Sequence, residues 1–284
     1  MDSNTQKGQL FVVALPIGNL RDITFRALDV LQTVEYIACE DTRTLKKLLS
    51  HYGCSSKKLI SFYKDVEKEK SEKVLKLLEE GIDVALVSEA GSPIISDPGS
   101  YLVREAYKRS IKVIPIPGPS ALTCALSASG IQLDKGFIFL GFLPRKKQEQ
   151  KKILESLPKN LPIVIFEAPH RINKTLKNFL EIFGNRDCFF ARELTKIHEE
   201  LLWTDLQTLS KREEFLGEIT LIIMPEKQEE PQKIDWKKLK EEVKNLKADG
   251  LKHKEIAKIL AKKYNLSAKE LYNYLITALR SGKT

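Results

Sequence analysis

Short, nearly unbroken apolar runs recur along the first half of the chain, each followed by an amphipathic stretch. Residues 10–16 (LFVVALP), 35–39 (EYIAC), 58–62 (KLISF), 83–88 (DVALVS) and 112–117 (KVIPIP) read as strands. Between them a 3.6-residue period predicts helices over 24–33, from 42, over 65–80 and over 99–109. Strands without polar alternation are buried on both faces, as in a parallel sheet covered by crossover helices. After residue 117 the rhythm changes. GFIFLGF (136–142), PIVIFE (162–167), CFFARE (188–193), ELLWTD (200–205) and GEITLIIM (217–224) are the later strands, with helices at about 169–182 and 206–214. Only a short helix separates ELLWTD from GEITLIIM, so this half should contain antiparallel pairs.

The expected fold class is therefore α/β. A parallel-sheet domain covers 1–117, a mixed-sheet domain 118–225, a polar linker 226–234, and a small helix-turn-helix-like domain 235–284. In the last, helices are expected over 236–248, 254–264 and 267–279, with Ile256, Ile259, Leu260 and Leu266 as a small core.

Charge singles out that terminal segment. Residues 235–284 carry 13 Lys and Arg against 6 Asp and Glu, a net +7, which leaves only +2 of the total +9 for the rest. A basic appendage on a nearly neutral body points to an anionic partner, with nucleic acid first, although a lysine-rich solvated helix face has the same composition. Lys252, Lys254, Lys258 and Lys262 are the candidate phosphate contacts. SAKELYNYLITAL (267–279) offers one lysine and few base-reading side chains, poor material for sequence-specific DNA readout. Four scattered cysteines without CxxC spacing suit reduced thiols in the cytoplasm; with four isolated histidines, no metal site is expected. No apolar run approaches the roughly 20 residues of a membrane span, and the opening residues lack the apolar core of a signal peptide.

Four loops follow strand ends, where open α/β sheets hold their ligands. ALPIGNLRDIT (14–24) is neither GxGxxG nor a P-loop, so it supports neither a dinucleotide site nor an NTPase. In CEDTRT (39–44), Asp41 or Thr42 would serve as a helix N-cap, whereas Glu40 and Arg43 are less easily explained by capping. SEAGSPIISDPGS (88–100) is rich in small residues, and its Asp97-Pro98-Gly99 reads as a cap and first helical turn. PIPGPSALTCAL (115–126) starts a helix near Ser120 with free N–H groups suited to an anion. Tyr63, Phe142 and Trp203 read more readily as core than as base-stacking platforms.

LPIGNLRDIT, EDTR, SEAGSPIISDPG, PIPGPSA, GFLPRK, FEAPHRI and ARELTK follow one another in this order over 15–196. The series resembles the ribosomal RNA small-subunit (cytidine-2′-O)-methyltransferase branch of the tetrapyrrole methylase superfamily. The terminal helices are similar to the helix-turn-helix appendage of those enzymes. The resemblance implies S-adenosyl-L-methionine bound in the cleft between two α/β domains, 16S rRNA of the small ribosomal subunit as substrate, and a homodimer. By match, the cofactor would be lined by Pro16; by Ser88, Glu89, Ala90, Gly91, Pro93 and Ser96; by Gly118, Pro119, Ser120 and Ala121; and at its adenosine end by Ala168 and Leu194. Where the family usually reads SDAGTP this chain has SEAGSP, so Glu89 and Ser92 replace Asp and Thr.

A ribose hydroxyl is a poor nucleophile, so a base or a positive group beside the forming alkoxide should help. Arg43, Glu167 and Lys196 are the expected catalytic residues, with Asp97 a further candidate that capping explains better. RNA contacts are expected from Glu40, Asp41, Arg145, Lys146, His170, Arg171, Arg192 and Glu193 besides the terminal lysines. Plainer roles stand beside these: His170 packing at a helix start, Arg192 with Glu193 as an ion pair, and Arg145 and Lys146 facing solvent. Two other functions fit the same fold, methylation of a tetrapyrrole or other small molecule, and ligand sensing by a nucleic-acid-binding regulator. The first has no need of the PHRI and ARELTK segments or of the basic appendage, and the second requires a specific recognition helix, for which residues 267–279 are poor material.

Overall fold

The computed structural model describes residues 6–54, 56–226, 236–264 and 267–280. Strands β1 (Gln9–Val13), β2 (Tyr36–Cys39), β3 (Lys58–Ser61), β4 (Val84–Val87) and β5 (Lys112–Ile116) form one all-parallel sheet in the order β3-β2-β4-β1-β5. Helices α1 (Phe25–Thr33), α2 (Thr42–His51), α3 (Glu67–Glu79) and α4 (Ser100–Lys108) make the crossovers. The unbroken apolar runs have their expected cause. In β4, Ala85 and Val87 face a cluster with Leu31, Leu45 and Leu49 of α1 and α2, while Val84 and Leu86 face Leu75, Leu78 and Leu102 of α3 and α4. Because all five strands run the same way, the loops after β1, β2, β4 and β5 leave from one edge.

The second sheet follows α5 (Ala121–Ser129). It contains β6 (Ile138–Phe142), β7 (Ile163–Glu167), β8 (Asp187–Arg192), β9 (Glu200–Asp205) and β10 (Ile219–Ile223), ordered β6-β7-β10-β8-β9. Only β6 and β7 are parallel. ELLWTD and GEITLIIM do not pair with each other; each is antiparallel to β8, which lies between them. Burial explains the order. Four successive residues of β8, Cys188 to Ala191, are buried and need cover on both sides, whereas Leu201, Leu202 and Trp203 of β9 are exposed on an edge. Helices α6 (Lys147–Glu155) and α7 (Ile172–Phe183) cover one face, and α5 packs on the other through Ala125 and Leu126 against Val164, Phe189 and Ile222. Ile17, from the loop after β1, joins that second-sheet cluster. The helix expected over 206–214 is only α8 (Leu206–Leu209).

Met1–Pro225 forms one compact unit and Glu226–Thr284 another. The expected linker at 226–234 lies almost wholly outside the described residues. In the second unit α9 (Trp236–Ala248), α10 (His253–Tyr264) and α11 (Ala268–Arg280) enclose Leu239, Ile256, Ala257, Leu260, Leu271 and Leu275. Ile259, expected in this core, is 45% exposed, because the inward stripe of α10 runs through Ile256 and Leu260, one turn apart. Leu266 lies outside the described residues.

One helix start departs from expectation in a way that matters for the site. The N-cap of α4 is Gly99, at φ +129°, and no side chain of the loop caps it. Instead Glu67, at the start of α3, accepts N–H bonds from Gly99 and Tyr101, each at 3.0 Å. Asp97 is thereby released from the capping role that its sequence suggests. Replacing Glu67 by Ala should lower the unfolding free energy by about 1 kcal/mol in urea denaturation. Replacing Asp97 by Asn should cost nothing in the same measurement; equal losses would return the cap to Asp97.

Candidate functional site

The loops after β1 and β4 are joined by a single antiparallel bridge. Leu15 N–H donates to Gly91 O, and Gly91 N–H donates to Leu15 O, both at 2.9 Å. Gly91 adopts φ +73°, and a side-chain carbon there would lie 3.3 Å from Ile17 Cγ2 and 3.6 Å from Pro119 O. At Gly118, in the loop after β5, such a carbon would come 2.9 Å from Ala14 Cβ. Three loops thus meet backbone to backbone, which only small residues allow. The buried Ser88 hydroxyl donates to Ala90 O and Gly91 O and holds the turn from inside. Further along, Ile94 and Ser96 both have left-handed backbone, at φ +74° and +73°. For a β-branched residue this costs about 1–3 kcal/mol and persists only where the surroundings impose it.

These loops form one wall of a cavity of about 490 Å³ at the ends of the two sheets. Ile17, Glu89 to Ser92, Ile95 to Asp97, Ser120 and Ala121 line that wall; Phe142, Phe166 to Pro169 and Gly217 to Thr220 line the other. Of the residues matched to a cofactor, Glu89, Ala90, Gly91, Ser96, Ser120, Ala121 and Ala168 are on the surface of the cavity. Pro16, Ser88, Pro93, Gly118, Pro119 and Leu194 are not; Ser88 shapes the loop from behind, and Leu194 is buried in the cluster beneath α5. The facing wall was mostly missed by sequence reasoning. Its one available signal was an aromatic at each of two strand ends, Phe142 and Phe166. Phe142, Tyr63 and Trp203, expected in the core, are 55%, 41% and 47% exposed. Trp203 sits on the edge strand, with its indole N–H donating to Ser129 O at 3.0 Å.

Of the three expected catalytic residues, only Glu167 lines the cavity, and its oxygens are engaged. Oε1 accepts the Ala168 N–H at 3.0 Å and pairs with Arg171 Nε at 3.1 Å; Oε2 accepts the Thr175 hydroxyl at 2.6 Å. Arg171 donates onward to the Leu143 and Pro144 carbonyls; Gln150, whose Oε1 accepts from Asn178 Nδ2, donates through Nε2 to Pro144 O. Glu167 and Arg171 are therefore struts of a buried polar network that fixes the start of the GFLPRK loop. Arg145 and Lys146 follow at its exposed tip, and His170 is exposed nearby in sequence.

Lys196 is held by Glu193 and Glu218, each at 2.9 Å, and its stem packs on Gly18. A hydrogen bond from the Glu218 N–H lowers the Glu193 pKa. Arg192 does not form the expected ion pair with Glu193, which Lys196 holds; it pairs instead across the strand pair with Glu200 at 3.0 Å. Asp41 caps α2 through the N–H groups of Arg43 and Thr44, which lowers its pKa; Arg43 itself is exposed. Lys252, Lys254, Lys258 and Lys262 are exposed on the second unit.

Glu40, Glu89 and Asp97 form an acidic corner at the first sheet's edge. Burial, then the Glu89 charge, raises the Glu40 pKa. Asp97 is half-buried; burial first, then Glu40 and Glu89, push its carboxyl up to about 6. None of the three makes a hydrogen bond or ion pair among the described residues.

A family model described as Tetrapyrrole (Corrin/Porphyrin) Methylases matches residues 9–210. Ribosomal RNA small subunit methyltransferase I of Halalkalibacterium halodurans is 40% identical over 274 residues, which cover 94% of each chain. The protein of that name from Bacillus subtilis is 38% identical over 280 residues, 96% of this chain and 95% of its own. The one from Thermotoga maritima is 47% identical over 220 residues, 98% of its own length but 76% of this chain. Among solved structures, diphthine synthase superposes with a TM-score of 0.59 at 15% identity, covering 76% of this chain and 90% of its own. Uroporphyrin-III-C-methyltransferase from Thermus thermophilus gives 0.55 at 18% identity, with 77% and 94% covered. The two structures share the fold.

The acidic corner has a consequence for stability. A carboxyl whose folded pKa is raised from 3.8 to about 6 binds protons more tightly folded than unfolded, so stability falls as pH rises through that window. Asp97→Asn should therefore raise the denaturation midpoint at pH values above about 6 and leave it unchanged below about 4. A midpoint lowered at neutral pH would contradict the assigned environment.

Proposed function

The chain belongs to the tetrapyrrole methylase family, and on that premise we propose that it methylates the 2′-hydroxyl of a cytidine ribose in 16S rRNA of the small ribosomal subunit. S-adenosylmethionine supplies the electrophilic methyl group, carried on a sulfonium. The residues of the cavity fit such a molecule. Its volume of about 490 Å³ is in the range of small-molecule sites. Gly91 leaves a cradle that a Cβ would obstruct, and Phe142, Phe166 and Ile219 offer apolar surface for a base. The first turn of α5, at Ser120 and Ala121, has no side-chain cap, so its N–H groups can receive a carboxylate.

The observation that carries the RNA reading is the set of relatives named for small-subunit ribosomal RNA that align along nearly the whole chain. Charge placement agrees. Lys254, Lys258 and Lys262 recur every four residues along α10, opposite its buried stripe, and form one exposed basic ridge. The relative from Thermotoga maritima is matched almost completely by three quarters of this chain, which suits a second unit that adds RNA affinity rather than chemistry. We assign the protein to the cytoplasm, where its four free cysteines stay reduced. A homodimer would cover the apolar edge made by Leu201, Leu202 and Trp203 of β9.

The test is methyl transfer from labelled S-adenosylmethionine to small ribosomal subunits and to naked RNA, followed by mapping of the product. A 2′-O-methylcytidine in the 16S rRNA is expected; transfer to a base or to neither substrate contradicts the proposal. Changing Lys254, Lys258 and Lys262 together to Ala should weaken RNA binding and reduce its salt dependence by about one unit of slope per lysine, with cofactor affinity retained.

A further inference from the structure

The cavity is lined by four carboxylates, Glu89, Asp97, Glu167 and Glu218, and their surroundings differ. Glu167 is closed by Ala168 N–H, Arg171 and Thr175, and Glu218 by Lys196. Glu89 is exposed, so bulk water competes for its oxygens. Asp97 alone combines partial burial with the lack of any hydrogen bond or ion pair among the described residues. The sequence has an obvious employment for it as the cap of α4, but Glu67 holds that position. Its backbone is fixed on both sides, by Pro98 after it and the left-handed Ser96 before it.

We propose that Asp97 is the general base that takes the proton from the acceptor hydroxyl during methyl transfer, an inference that rests on the ribose-methylation reading above. As the ribose oxygen bonds to the methyl carbon, its O–H bond breaks and the proton passes to an Asp97 carboxylate oxygen. The methyl–sulfur bond breaks in the same step, and its electron pair turns the sulfonium into a neutral thioether. Asp97 then returns the proton to solvent. The charged groups around it favour this use. Glu40 at the end of β2 and Glu89 in its own loop repel its negative charge, while Glu167 and Glu218 across the cavity are neutralised by Arg171 and Lys196. The result is a carboxylate more basic than one in water, with its pKa near 6 and hence mostly ionised at neutral pH.

The full-length protein, Asp97→Asn and Asp97→Glu should be compared in single-turnover methylation of small subunits from about pH 5 to about pH 8, with S-adenosylmethionine affinity measured by calorimetry. Asp97→Asn is expected to lower the rate about 10²–10⁴-fold at unchanged cofactor affinity, and Asp97→Glu to recover part of it. The wild-type rate should rise with pH through about 6, and that rise should vanish in Asp97→Asn. An Asn variant slowed by much less than about 10²-fold overturns the proposal, as does an unchanged pH profile. Loss of cofactor affinity in step with rate would make Asp97 a cofactor ligand instead. Wild-type protein inactive on ribose overturns the ribose reading itself and takes this role with it.

Discussion

The pair of hydrogen bonds between Leu15 and Gly91 is the constraint from which the site follows. A parallel sheet brings the ends of β1 and β4 side by side but leaves their loops free to diverge. The bridge extends the contact beyond the sheet and holds Gly91 in a left-handed conformation, where a side chain would be strained and would press on Ile17. Ile17 in turn is packed into the second sheet's core. One backbone contact therefore sets the path of the cavity wall and ties it to the opposite half of the cleft. The strained Ile94 and Ser96 lie just downstream, where the loop must turn back to reach α4.

The division of labour among the carboxylates follows from position. Those on the second sheet are structural: Glu167 organises the buried network beneath the GFLPRK loop, and Glu218 and Glu193 anchor Lys196. Glu40, Glu89 and Asp97 at the first sheet's edge make no hydrogen bond or ion pair among the described residues and repel one another. Such a corner detracts from stability, and active sites commonly carry that burden. The two halves thus contribute differently, one a preformed scaffold and the other reactive groups held in tension.

Much of this was legible in the residues. Unbroken apolar runs gave the parallel sheet, and the short spacing before GEITLIIM gave the antiparallel pairs. The small residues of SEAGSP and PGPSA marked the first wall because close backbone approach has a compositional cost that shows in sequence. Two things were not legible. The facing wall is built largely from Gly217 to Thr220 and Phe166, ordinary strand-end residues that become a site only when the sheets meet. The role of Asp97 was hidden because Asp-Pro-Gly is a good helix start, and the residue that relieves it of capping, Glu67, is thirty positions away in sequence. Glu167 and Lys196 misled for the converse reason, since charge at a strand end does not reveal whether its partners have already claimed it.

The most direct test of the central claim is calorimetric titration of S-adenosylmethionine into the wild-type chain and into Gly91→Ala. The wild type should bind one molecule per chain. The variant, with its fold checked by circular dichroism, should bind far more weakly, because a Cβ at φ +73° strains the backbone and sits only 3.3 Å from Ile17 Cγ2. Equal affinity in the two proteins would show that the Leu15–Gly91 bridge does not shape the methyl-donor site.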